Sequence, residues 1–217
     1  MKHATIALAF LTTLSAAAAA HDFNFSLGND AYQAKNYDVA FREWKPLAEI
    51  GIAEAQFNIL IDELTKANFI HYETSNFGKE NFFSKNNSSY WLGKSYLGIG
   101  PSAHSFDGKR RSWNVQNNTK YIKSIAQNDL PIQRETLSVT DRYNEYVMTG
   151  LRTIWGVSFN KIDTDFGENY TKYLKMQSKK YIEQKLLYIE NKVLKTTHKG
   201  KFLSDGIASD LFMINLI

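Results

Sequence analysis

Along residues 25–60 the apolar side chains return every three or four positions, the spacing that gathers them on one side of an α-helix. Ala40, Trp44, Leu47 and Ala48 share such a face, Asp38 stands where a helix start is capped, and Gly51 closes the segment. Ala53, Ala55 and Gln56 open another helix, whose stripe runs on through Phe57, Leu60, Ile61 and Leu64 before FIHYE reads as a short strand. Further along, a helix is expected from about Asp141 to Trp155, with Glu145 and Arg152 on nearly one face as a candidate structural pair. Towards the C-terminal end, Tyr170, Tyr173, Leu174 and Tyr181 form one apolar stripe. Asn191-Lys192 then supplies a turn between two short strands, and SDGIASDLF starts a terminal helix.

The opening MKHATIALAFLTTLSAAAAAHDF follows a different rule. Lys2 and His3 precede an apolar run from Ala4 to Leu14, and Ala18 and Ala20 make an A-x-A cleavage pattern. An export signal over residues 1–20 is the expectation, which places the remainder in the periplasm or outside the cell. The apolar run is short for a bilayer span, so no transmembrane segment is expected once the signal is removed.

Composition narrows the chemistry. With 43% hydrophobic and 14% aromatic residues the chain can bury a core. A formal charge of +4 is too small to point to nucleic acid, and the nine lysines between Lys172 and Lys201, opposed by Glu183 and Glu190, lack interleaved arginines or stacking residues. A solvated face is the simpler reading, and nucleic acid is not an expected partner. Cysteine is absent, which excludes disulfides, thiolate catalysis, zinc–thiolate sites and any cysteine-ligated iron–sulfur cluster in these 217 residues.

Candidate chemistry concentrates in KNNSSYWLGKSYLGIGPSAHSF, residues 85–106. Gly98 and Gly100 permit either a tight turn or close approach of a ligand to the backbone, and Pro101 interrupts strand pairing. Without a P-loop lysine and serine the phosphate signal is weak, and a strand-ending turn is the preferred reading. Lys109, Arg110 and Arg111 beside Trp113 could hold carboxylates and stack a ring, or could form a solvated turn. His71 and His104 can each offer an imidazole, although a lone histidine more often serves as a structural hydrogen-bonding residue.

Two resemblances attach to these segments. GNDAYQAKNYDVAFREWKPLAEIGIAEAQFNIL resembles one tetratricopeptide-like repeat of the short Sel type, through Gly28, Ala31, Tyr37, Ala40, Trp44, Leu47, Ala48, Gly51, Ala53, Ala55 and Gln56. No second copy follows, and a lone repeat must bury its face against something else. From HYETSNF through NNSSYW, YLGIGPSAHSF, GKRRSWN, TGLRTIWGV and TTHKGKFLSDGIASDLF, about 150 residues in order resemble the C-terminal half of the heme chaperone and oxygen-independent coproporphyrinogen III oxidase family. The two patterns meet near residue 57, inside a helix and without a linker.

Taken together these readings give an α+β chain: a signal at 1–20, a helical-repeat hairpin at 25–60 and, as the second resemblance implies, a remnant of a partial α/β barrel at 61–130 and a helical, winged-helix-like domain at 131–217. Family members hold a four-iron cluster and S-adenosylmethionine on a cysteine loop in the other half, so neither cofactor is expected here and no catalytic residue or metal ligand is assigned. The chaperone branch resembles H-N-x-x-Y-W at its heme site. Asn87, Tyr90 and Trp91 match that pattern while Asn86 stands at the histidine position, leaving His71 or His104 as alternative sources of nitrogen. The expected function is residual heme or porphyrin binding without radical chemistry, with Lys109, Arg110 and Arg111 on the propionates and Gly98, Gly100 and His104 as remnants of a cosubstrate turn. The alternatives are an exported repeat module that binds proteins, or a chimera without function. The family is cytoplasmic, against the export signal. Exposed edges left by the absent barrel favour self-association.

Overall fold

A computed structural model describes residues 24–214, so the expected export signal lies outside the described residues. Two compact units divide between His71 and Tyr72.

The first unit is three helices, α1 (Phe25–Gln33), α2 (Tyr37–Glu49) and α3 (Ala53–Lys66). Its small core joins Ala31, Ala40, Trp44, Leu47 and Ala55. Trp44 is fully buried, and it fits because Gly28 faces it: a Cβ there would stand 2.6 Å from the indole Cδ1. The α2 cap is Asn36 and not Asp38. Asn36 accepts from the Val39 N–H, which leaves Asp38 in the first turn, where its charge complements the helix dipole. Helix α3 runs unbroken across residue 57, so the change in sequence style carries no break in backbone geometry.

The second unit opens with strand β1 (Ile70–Glu73), which crosses the division, and continues through β2 (Asn76–Gly78) and helix α4 (Lys85–Trp91). An antiparallel sheet then places β4 (Arg110–Asn114) between β3 (His104–Phe106) and β5 (Ile132–Thr136), with α5 (Asn118–Ala126) before β5. Helix α6 (Val139–Leu151) starts earlier than its apolar stripe, because Ser138 and Asp141 close a capping box. Next come β6 (Val157–Ser158), α7 (Phe159–Phe166), α8 (Glu168–Glu183), β7 (Leu187–Glu190), β8 (Val193–Thr196), α9 (His198–Lys201) and α10 (Ser204–Asp210).

The main core lies in this last part. Tyr143, Val147 and Leu151 descend one face of α6 at four-residue intervals and meet Leu174, Leu187, Leu194, Ile207 and Leu211, all buried. Strands β7 and β8 pair Glu190 with Val193 across a two-residue loop. Asn191 and Lys192 both take positive φ, 49° and 62°, as a type I′ hairpin requires. The chain after α6 returns to β1: Ile154 N–H donates to the Tyr72 carbonyl and Thr74 N–H to the Arg152 carbonyl. The many lysines of this region are partly neutralised by neighbours, Lys172 by Glu168, Lys180 by Asp210 and Lys195 by Glu190.

Candidate functional site

Helix α4 is short and capped by Ser84, whose hydroxyl accepts from Asn87 N–H at 3.3 Å. Its last turn presents Tyr90 and Trp91 with ring centres 5.2 Å apart at 84°, and Tyr96 lies 5.9 Å from Tyr90. These rings line a cleft of about 800 Å³ within the second unit, whose lining also includes Met148, Phe166 and Phe212. Small-molecule sites span roughly 300–1,000 Å³.

Four cations line the cleft, and their partners differ. Arg111 meets Glu135 across the β4–β5 pair at 3.4 Å and also bonds Glu145. Lys161 pairs with Asp165 one turn away. Arg152 directs Nε and one terminal nitrogen to Glu73 Oε1, at 3.0 and 2.9 Å, and its other terminal nitrogen to Asp205 at 2.5 Å. Its guanidinium lies 5.0 Å from the Trp91 ring centre. Arg142 makes no ion pair among the described residues, and its Nε is shielded from water with no hydrogen-bond partner; Trp91 Nε1 is in the same state.

Glu145 and Arg152 are therefore not a pair. Each has found a partner from distant sequence, because seven residues of helix separate them by about 10 Å of rise. Glu73, wholly buried, is held further by Ser75 N–H and the Asn76 amide. Lys201 is pushed down to about 8 by burial, an effect that the Glu73 carboxylate opposes.

The residues singled out in the sequence scatter. Tyr90, Trp91 and Arg111 line the cleft. Asn86 is exposed in the first turn of α4, and the Asn87 amide donates to the Tyr72 hydroxyl at 3.4 Å. Lys109 and Arg110 are exposed, and Arg110 turns back to Asp107 at 3.1 Å. Asp107 accepts from both Lys109 and Arg110 N–H groups, which hold its carboxyl below the usual range. His104 is exposed opposite Trp113, rings 6.2 Å apart, while His71 belongs to the first unit, edge-on to Phe57.

Gly98 and Gly100 shape the backbone here. A Cβ on Gly98 would overlap the His104 carbonyl, and the Asn114 amide donates to both glycine carbonyls, at 3.4 and 2.8 Å. Arg142, Tyr146, Met148 and Arg152 join the cleft without any ligand-binding motif of their own in the sequence. Arg142, Tyr146 and Thr149 form a stripe along α6 beside the core stripe, a spacing visible in the sequence, and Thr149 and Arg152 fall in the TGLRTIWGV motif.

The family model that matches is the HemN C-terminal domain, over residues 137–203. The heme chaperone HemW of Lactococcus lactis subsp. lactis (strain IL1403) is 33% identical over 151 residues, covering 70% of this chain and 40% of that protein. The heme chaperone HemW of Bacillus subtilis (strain 168) is 32% identical over 157 residues, covering 71% and 41%. The chain thus spans about two fifths of the length of these relatives. Among solved structures, coproporphyrinogen III oxidase (HemN) from Escherichia coli, described as a radical SAM enzyme, aligns with a TM-score of 0.57 at 16% identity, over 73% of this chain and 40% of that one. At that identity the likeness speaks for the fold.

Proposed function

The C-terminal part of this chain belongs to the C-terminal half of the HemW-like family, and from that premise we propose that its cleft binds heme or a related porphyrin as cargo, without radical chemistry. The observation that carries this reading is the Tyr90–Trp91 pair at a cleft that also holds the uncompensated Arg142. A porphyrin needs flat aromatic contact for its faces and cations for its carboxylates, and the cleft supplies both. The fit to iron is poorer, since Asn86 replaces the imidazole of the family motif and an amide is a weak iron ligand. Radical generation needs a cluster held by thiolates, and these 217 residues contain none.

Titrating the purified chain with hemin checks this directly. A saturable Soret shift, weakened in Tyr90→Ala and in Trp91→Ala, is expected; no saturable shift overturns the proposal.

The finer architecture belongs to the same reading. Helices α1–α3 act as one Sel-type repeat fused at α3 to the family fragment, α7–α8 with the β7–β8 hairpin form the winged-helix-like element, and residues 1–20 direct export. A transcript read spanning the α3 codons tests the fusion. Exposed Leu97 and Ile99, at 79% and 84%, favour self-association, which a sedimentation series over concentration would reveal. A second reading, in which the first unit binds a protein partner, is favoured by the exposed Leu27, Ile50, Ile52 and Leu60 on its surface. That reading expects no heme response at all.

A further inference from the structure

We infer that the cleft recognises the carboxylates and faces of a tetrapyrrole and not its central metal, so that metal-free and iron porphyrins form one ligand class for this chain. The inference rests on the porphyrin reading above and concerns what that site can distinguish.

Side chains that hold heme iron are imidazole, thiolate, thioether and phenolate. Among the described residues no histidine or cysteine lines the cleft. Tyr146 already accepts the Ser158 N–H at 3.0 Å, and burial pushes its phenol up from the ordinary value, which disfavours the phenolate. Tyr96 is pushed up by burial as well. Tyr90 packs its ring edge to face against Trp91, so it offers the ligand an aromatic face. Met148 is packed against the main core, and a thioether serves as an axial ligand chiefly opposite an imidazole that this cleft lacks.

Anion recognition is better provided. Arg111, Lys161 and Arg152 are each neutralised by a carboxylate, so a ligand carboxylate reaching them must displace one. Arg142 has no such competitor among the described residues. Its Nε–H and the Trp91 Nε1–H have lost water without gaining an acceptor, and a small turn of either group into the cleft would let an entering carboxylate remove that cost. Discrimination therefore follows the ligand's acid groups.

The test titrates the full chain with three probes, hemin, metal-free protoporphyrin IX and protoporphyrin dimethyl ester, each followed by Soret absorbance. Hemin and the free acid should bind within about threefold of each other and the ester at least about tenfold more weakly. Arg142→Met should weaken both acids by about tenfold while leaving the ester unchanged, and Trp91→Phe, which keeps a ring and loses the N–H, should weaken the acids only. If circular dichroism shows Arg142→Met unfolded, the acid-to-ester ratio of the unaltered chain decides. Hemin binding at least about tenfold tighter than the free acid, with a low-spin six-coordinate spectrum, would overturn the inference, as would an ester bound equally well. Failure of all three probes would instead overturn the porphyrin reading.

Discussion

The guanidinium of Arg152 covers the ring of Trp91 at 5.0 Å while both of its neighbouring nitrogens converge on one oxygen of the buried Glu73. One side chain thus fixes an aromatic wall of the cleft and neutralises a carboxylate with no exposure to water. Replacing it by methionine keeps much of the volume and leaves Glu73 a charge in the interior, for which losses of about 3–5 kcal/mol are usual. Chemical denaturation of Arg152→Met should show a loss of that order. The double variant Arg152→Met/Glu73→Met should recover most of it, and a double variant no better than the single one would refute the pairing.

His198 gives the chain a predictable response to acid. Burial, reinforced by the Lys201 charge, lowers it from 6.5 to about 4. As pH falls the unfolded chain takes up this proton first. The contribution of the neutral imidazole to stability is therefore complete above about pH 6.5 and is withdrawn between there and about pH 4, up to a total of about 3 kcal/mol. Urea midpoints across that window should fall steeply for the natural chain and less steeply for His198→Gln; parallel slopes would refute the assignment.

Lys192 carries an avoidable strain. Its φ of 62° lies in the left-handed region, where a non-glycine residue costs roughly 1 kcal/mol. Lys192→Gly converts the loop to Asn-Gly, the preferred type I′ pair, and should raise the melting temperature by about 2–4 °C. A lowered melting temperature would show that the lysine side chain contributes more than the backbone loses.

In the first unit, Gly28→Ala should cost about 1–3 kcal/mol by forcing the new methyl group into the Trp44 indole. Trp44→Phe in the same chain should make the alanine less damaging, because the smaller ring vacates the contested space. Thermal melts of the four chains measure the coupling, and strictly additive losses would place the strain elsewhere.

Local features were legible in the sequence, and assembled ones were not. The Asn191-Lys192 hairpin, the α8 stripe and the terminal helix follow from short-range turn and spacing rules. The start of α6 was legible too, in Ser138-Val139-Thr140-Asp141, but an apolar stripe alone does not report a polar cap. The cleft draws on residues from Tyr90 to Phe212, and no pattern along the chain announces which of them converge. Alternation along β4 explains why Arg111 faces Glu135 and the cleft while Arg110 turns to Asp107, so a basic trio in sequence becomes a single cation in the site.

The return of the chain onto β1 has a kinetic consequence. Thr74 finds the Arg152 carbonyl 78 residues away, whereas most of the main core joins segments from Tyr143 onward. Closing the longer loop carries the larger entropic barrier. The C-terminal core should therefore assemble early and β1 dock upon it late, so in a refolding experiment the environment of Trp91 matures after secondary structure has already returned.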